Sequence, residues 1–114
     1  MSGDSFCKVA MFRRRVEKLI DDVLKELGEM SHLEREFLSV RANGLRDLAI
    51  QLIAFTTLKL RETEDYETMG LLNDLESVAR ELLENTLGNT YIKSANELLA
   101  QLNTLLYLLA KLEG

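Results

Sequence analysis

No proline occurs anywhere in this chain of 114 residues. Proline is the residue that helices tolerate least, costing about 3 kcal/mol in a helix interior. A chain of this length without one is free to run in long helices joined by short turns. Leu, Glu, Ala, Lys and Arg are prominent in it, and all are strong helix formers. Aromatics make up only 6% of the residues and β-branched clusters are few, so a sheet would lack the side chains that fill its faces. The expected fold class is all-α, one domain over residues 1–114 with a single core.

Apolar spacing places the helices. A first helix is expected from about Ser5 to Leu27, where Val16, Leu19, Ile20, Val23, Leu24 and Leu27 form one stripe at helical spacing. Gly28 is a natural stop, and Ser31 with Glu34 three residues later reads as a capping box opening the next helix. That second segment, about 32–62, contains Asn43-Gly44, a turn or kink signal. Beyond it the chain is apolar almost all round, from Leu45 through Ile50, Phe55 and Leu58 to Leu60, as expected of a central helix surrounded by others.

Thr63-Glu64-Asp65 marks a third start, with the Thr63 hydroxyl as cap and two acids at the positive end of the helix dipole, and Leu71, Leu72, Leu75, Val78, Ala79, Leu82 and Leu83 are its inward set. Glu67, Asp74 and Glu81 repeat on the opposite face. Leu87-Gly88-Asn89-Thr90 reads as a turn into a last helix, about Tyr91 to Leu112. There Leu98, Leu102, Leu105, Leu109 and Leu112 alternate spacings of four and three, the seam of a bundle interior or of a pairing with a second chain. Asn96 and Asn103 flank it. An antiparallel bundle of four helices, or five if Asn43-Gly44 breaks the second, fits these lengths.

The formal net charge of −5 argues against nucleic acid, whose binding needs a concentrated cationic face. Arg13, Arg14, Arg15 and Lys18 form a basic patch that reads first as an exposed helix face. One cysteine, Cys7, excludes an internal disulfide. The longest apolar run, Leu105 to Ala110, is far short of the roughly 20 residues that span a bilayer. A soluble, cytoplasmic protein without a membrane partner is the expectation. His32 has no second His or Cys near it in sequence and reads as a surface residue.

Glu26-Leu27-Gly28-Glu29 places two carboxylates one helical turn apart, and Asp47 follows in an apolar helical run. Three carboxylates from two facing helices could hold a hard cation such as Mg²⁺, which takes oxygen ligands and keeps several waters. Such an ion could orient a phosphate chain and activate water. Against this, Asp22, Glu26 and Glu29 also read as a solvated acidic face paired with Lys18 and Lys25. Asp47 would then be an anion near the first turn of a helix capped by Asn43.

The same residues resemble motifs of the all-α nucleotide pyrophosphohydrolases, the MazG and phosphoribosyl-ATP pyrophosphohydrolase superfamily. Glu26-Leu27-Gly28-Glu29 is similar to the first motif, Glu-x-x-Glu. Gly44-Leu45-Arg46-Asp47, followed by Leu48-Ala49-Ile50-Gln51-Leu52-Ile53, is similar to the second, Glu-x-x-Asp at the head of an apolar helix. Gly44 stands where that motif has glutamate. The resemblance spans about residues 16–60 and implies a MazG-like helical bundle, usually a dimer or larger, with Mg²⁺ as cofactor. It implies Mg²⁺-dependent hydrolysis of a nucleoside triphosphate to monophosphate and pyrophosphate. Glu26, Glu29 and Asp47 would be the metal ligands, with help from Glu34 or Glu36. Arg41 and Arg46 would contact phosphate, and no catalytic base is assigned. A fainter echo lies at Glu81-Leu82-Leu83-Glu84 and Glu97-Leu98-Leu99-Ala100. The alternative function is a non-catalytic helical oligomerisation or scaffold protein, self-associating through leucine-rich faces.

Overall fold

A computed structural model describes the backbone of residues 7–29, 34–86 and 95–114, and the side chains of 8–25, 44–86 and 97–114. Four helices account for nearly all of it: α1 (Cys7–Glu29), α2 (Glu34–Glu62), α3 (Tyr66–Asn85) and α4 (Ala95–Glu113). No strand occurs among the described residues, so the all-α expectation holds. The capping signal at Ser31, the turn at 87–90, His32 and the side chains of Cys7 and Asn96 lie outside the described residues.

Two boundaries differ from the sequence reading. Gly28 does not stop α1, which continues to Glu29. Asn43-Gly44 neither turns nor breaks α2, a single helix of 29 residues. Helix propensity explains this: one glycine costs a helix about 1 kcal/mol, which long flanking runs of good formers outweigh. Among the described residues the bundle therefore has four helices rather than five. Its longest dimension, 47 Å, is close to the length of α2 at about 1.5 Å per residue.

Contacts between helices run in opposite chain directions, which fixes the topology. Phe12 of α1 stacks edge-to-face on Phe55 of α2 at 5.5 Å, while Arg15, further along α1, meets Gln51, further back on α2. Thr57 hydrogen-bonds Glu76 and Arg46 reaches Thr86, so α2 and α3 are antiparallel as well. Arg13 near the start of α1 bonds Glu113 at the end of α4, and also Glu17 at 2.8 Å. The two carboxylates, Glu113 foremost, raise the Arg13 pKa. The result is an up-down-up-down ring. In it α2 packs most on α3 and α1 on α4, and of the four neighbouring pairs α1–α2 is the loosest.

The connection from α2 to α3 is three residues long, 63–65. Asp65 is the N-cap of α3: its Oδ2 accepts from the Thr68 backbone N–H at 2.8 Å and the Thr68 hydroxyl at 2.7 Å. Those two bonds, the hydroxyl's first, hold the Asp65 carboxyl below its ordinary value. At the far end, the Thr86 N–H and hydroxyl both donate to the Leu83 carbonyl.

The core is built from Leu45, Leu48 and Leu52 of α2, Leu72, Leu75 and Leu82 of α3, and the α4 leucines 98, 102, 105 and 109, all essentially inaccessible. Burying each such side chain contributes about 1.5–3 kcal/mol. The α4 seam is thus spent inside this chain's own bundle, and Asn103 beside it is exposed. On α1 the inward stripe starts earlier than the sequence reading placed it, with Val9 and Phe12. It also leaves Leu24 outside, 53% exposed.

Candidate functional site

Of the three expected metal ligands Glu26, Glu29 and Asp47, Asp47 is the one whose side chain is described. It lies thirteen residues into α2, too far from Glu34 for the helix dipole to account for it. It stands exposed on the side of α2 toward α1. Arg15 Nη2 approaches its Oδ2 at 3.3 Å, Gln51 Nε2 donates to the same oxygen at 3.0 Å, and Arg15 Nη1 donates to Gln51 Oε1 at 2.9 Å. This closed triangle ties α1 to α2 across their loosest contact. With the Asp47 side chain 62% exposed, the ion pair contributes about 1 kcal/mol at most.

Glu26 and Glu29 occupy the last turn of α1, and Glu34, Glu36 and Arg41 the first part of α2. Their side chains lie outside the described residues. The axial register follows from the backbone. If Phe12 and Phe55 share a level, Asp47 falls level with Ile20. Glu26 then lies about 9 Å and Glu29 about 13 Å further along, at about 1.5 Å per residue. Among the described residues no group of three His, Cys, Asp or Glu converges as a metal site would require. Arg46 is engaged inside the fold. One nitrogen donates to the Thr86 carbonyl at the end of α3, and its buried Nε has no hydrogen-bond partner.

The basic patch likewise divides between ion pairs and solvent. Arg13 serves α4 and Arg15 serves α2, while Arg14 and Lys18 are exposed.

The second feature is apolar. Where α1 and α2 pack loosely, a cleft of about 360 Å³ opens between Met11 and Phe12 on one side and Ala54, Phe55 and Leu58 on the other. Lys8 and Lys59 also line it. Phe12 and Phe55 are buried, but Met11 and Leu58 are 49% and 52% exposed, and Ile50 one turn before Ala54 is 50% exposed. The sequence reading placed α2 at the centre, surrounded on all sides. Instead Asp47, Ile50, Gln51, Ala54, Thr57, Leu58 and Arg61 all face outward. The signal for this face was present in the chain. Asp47, Gln51, Thr57 and Arg61, four of the polar interruptions of an apolar run, fall on one side of a helix, and Ile50, Ala54 and Leu58 fall among them.

Fold and surface together define an up-down four-helix bundle with an open apolar face on α2. No family model, curated protein or solved structure matches the chain. No helix among the described residues is long and apolar enough to cross a membrane.

Proposed function

We propose that this chain is a non-catalytic helical association module that docks a protein surface through the outer face of α2 and the adjoining cleft. The observation that carries the reading is the apolar surface of Met11 and Leu58, each about half exposed at one cleft, together with Ile50, equally exposed two turns before Leu58 on the outer face of α2. Isolated exposed leucines are ordinary, but a continuous apolar patch with polar margins is characteristic of interaction surfaces. The carboxylate that could have served chemistry, Asp47, instead holds α1 to α2 through Arg15 and Gln51. Nucleoside triphosphates incubated with the protein and Mg²⁺ or Mn²⁺ should release no pyrophosphate above background. Turnover that disappears in Asp47→Asn would overturn the module.

A second reading, a divergent MazG-like pyrophosphohydrolase, is favoured by one observation. Asp47 is exposed toward α1, the helix that carries Glu26 and Glu29. Its Mg²⁺ would have to displace Arg15 from Asp47. Binding to the native state alone would then raise the melting temperature with Mg²⁺ concentration, and Asp47→Asn would abolish the rise.

A further inference from the structure

The outer face of α2 is self-complementary about Ala54, and we infer that its partner is a second copy of this chain, paired antiparallel α2 to α2 across a two-fold axis at that residue. The inference rests on the association reading above and names its partner. In an antiparallel pair crossing at one residue, positions equally distant from it in sequence share a level. Those on opposite flanks of the seam then sit side by side. Four residues either side of Ala54 are Ile50 and Leu58, the half-exposed apolar residues of the helix. Seven residues either side are Asp47 and Arg61, opposite charges. Three residues either side are Gln51 and Thr57, an amide and a hydroxyl, both exposed.

All three levels match when the helix meets itself in reverse. At a two-fold axis each match occurs twice, which is the requirement for an isologous interface. Ala54 at the crossing has the small side chain that lets two backbones approach. Arg61 has no ion-pair partner among the described residues, whereas its neighbour Lys59 is paired with Glu62. Asp47 Oδ2 accepts from Gln51 at 3.0 Å and meets Arg15 at 3.3 Å, and with its side chain 62% exposed it stays accessible to a second cation. The cleft beside Leu58 extends the same surface, so Met11 adds apolar area at the margin of the pair.

The test is sedimentation of the full chain across a concentration series, with circular dichroism confirming that each variant keeps its helices. Wild type should reach the dimer mass, and Ile50→Asp should weaken association more than about a hundredfold, because the substitution enters the interface twice. Asp47→Lys and Arg61→Glu should each weaken the dimer, and the two together should restore it. In a Cys7→Ser background, Ala54→Cys should form an intermolecular disulfide on mild oxidation, whereas Asn103→Cys on α4 should not. A wild-type monomer up to millimolar concentration would overturn the inference. So would a dimer indifferent to Ile50→Asp, or a double charge reversal that adds the losses of the single ones. A monomer that also releases no pyrophosphate leaves the module standing with another partner. Pyrophosphate release lost in Asp47→Asn removes the module itself, whatever the mass.

Discussion

Gly44 offers the sharpest test of the fold and of the ancestry together. It lies within α2, exposed, with no positive φ, and a Cβ added there would meet nothing within 4 Å. Nothing in the native backbone needs glycine. Gly44→Ala should therefore stabilise the protein by the difference in helix propensity, about 0.5–1 kcal/mol. Unfolding entropy near 2.1 cal/mol/K per residue gives about 0.24 kcal/mol/K for 114 residues, so the melting temperature should rise by about 2–4 °C. The urea midpoint should rise with an unchanged slope. A fall in melting temperature would mean that the chain does turn at Asn43-Gly44, and the continuous α2 would be refuted along with the outer face argued from it. Gly44→Glu makes the same helix and also supplies the glutamate that the resembled pyrophosphohydrolase motif has at this position. A Mg²⁺-dependent rise in the Glu variant, absent in the Ala variant, would support the pyrophosphohydrolase ancestry. Equal responses to Mg²⁺ would count against it.

Three further outcomes follow from the interior and the caps. Leu52 is fully buried in α2, and Leu52→Ala should cost about 2–5 kcal/mol by urea unfolding, where the cavity dominates the loss. Thr63 is buried with a hydroxyl that has no hydrogen-bond partner, so Thr63→Val, equal in shape, should raise stability by about 1 kcal/mol in the same assay. The depressed pKa of Asp65 makes its cap a pH-dependent contribution. It is fully present above the unfolded value, near 3.8, and is lost as pH falls through the lower folded value. Stability measured from pH 5 downward should decline less steeply in Asp65→Ala than in wild type, and the variant should melt lower at pH 7.

Most of the bundle could be read from spacing, because burial and helical period act on the same residues. The inward leucines of α3 and α4 and the start of α3 at Thr63-Glu64-Asp65 are examples. The capping role there falls to Asp65 rather than Thr63, since the Asp65 carboxylate reaches the Thr68 N–H and hydroxyl together. Other features depended on competition that local signals do not resolve. Asn43-Gly44 carries turn chemistry, but tertiary burial of Leu45 and Leu48 beside it holds the helix straight through. Leu24 fits the apolar stripe of α1 and is nevertheless exposed, because it lies about 100° around the helix from the buried Val23, on the flank of the stripe. Arg46 is expected from the sequence as a phosphate contact of a pyrophosphohydrolase. Its guanidinium serves the Thr86 carbonyl, a contact between residues forty apart that no local spacing announces.

The outer face of α2 follows from counting sides. In a ring of four helices each helix meets two neighbours and a shared centre, so each keeps one side toward solvent. A helix that carries large apolar residues on that side calls for a cover. Either a fifth helix covers the remaining side or another molecule does. Once α2 runs unbroken through Gly44, a fifth helix from a split second segment is gone. The α4 leucines, the other apolar surface available for pairing, are consumed within the core. What is left uncovered is Ile50, Ala54 and Leu58, with Asp47 and Arg61 at the ends. A stripe selected only for solubility would carry charge at positions 50 and 58. This one places its charges seven residues out, where they pair in the antiparallel register and repel in the parallel one. Arg61→Asp should therefore do more than weaken the pair: with acids at both ends, antiparallel and parallel registers become equally repulsive, and raising the salt should recover part of the association. If association of Arg61→Asp were as strong as wild type at low salt, the charges would not be at the seam, and the two-fold at Ala54 would be wrong.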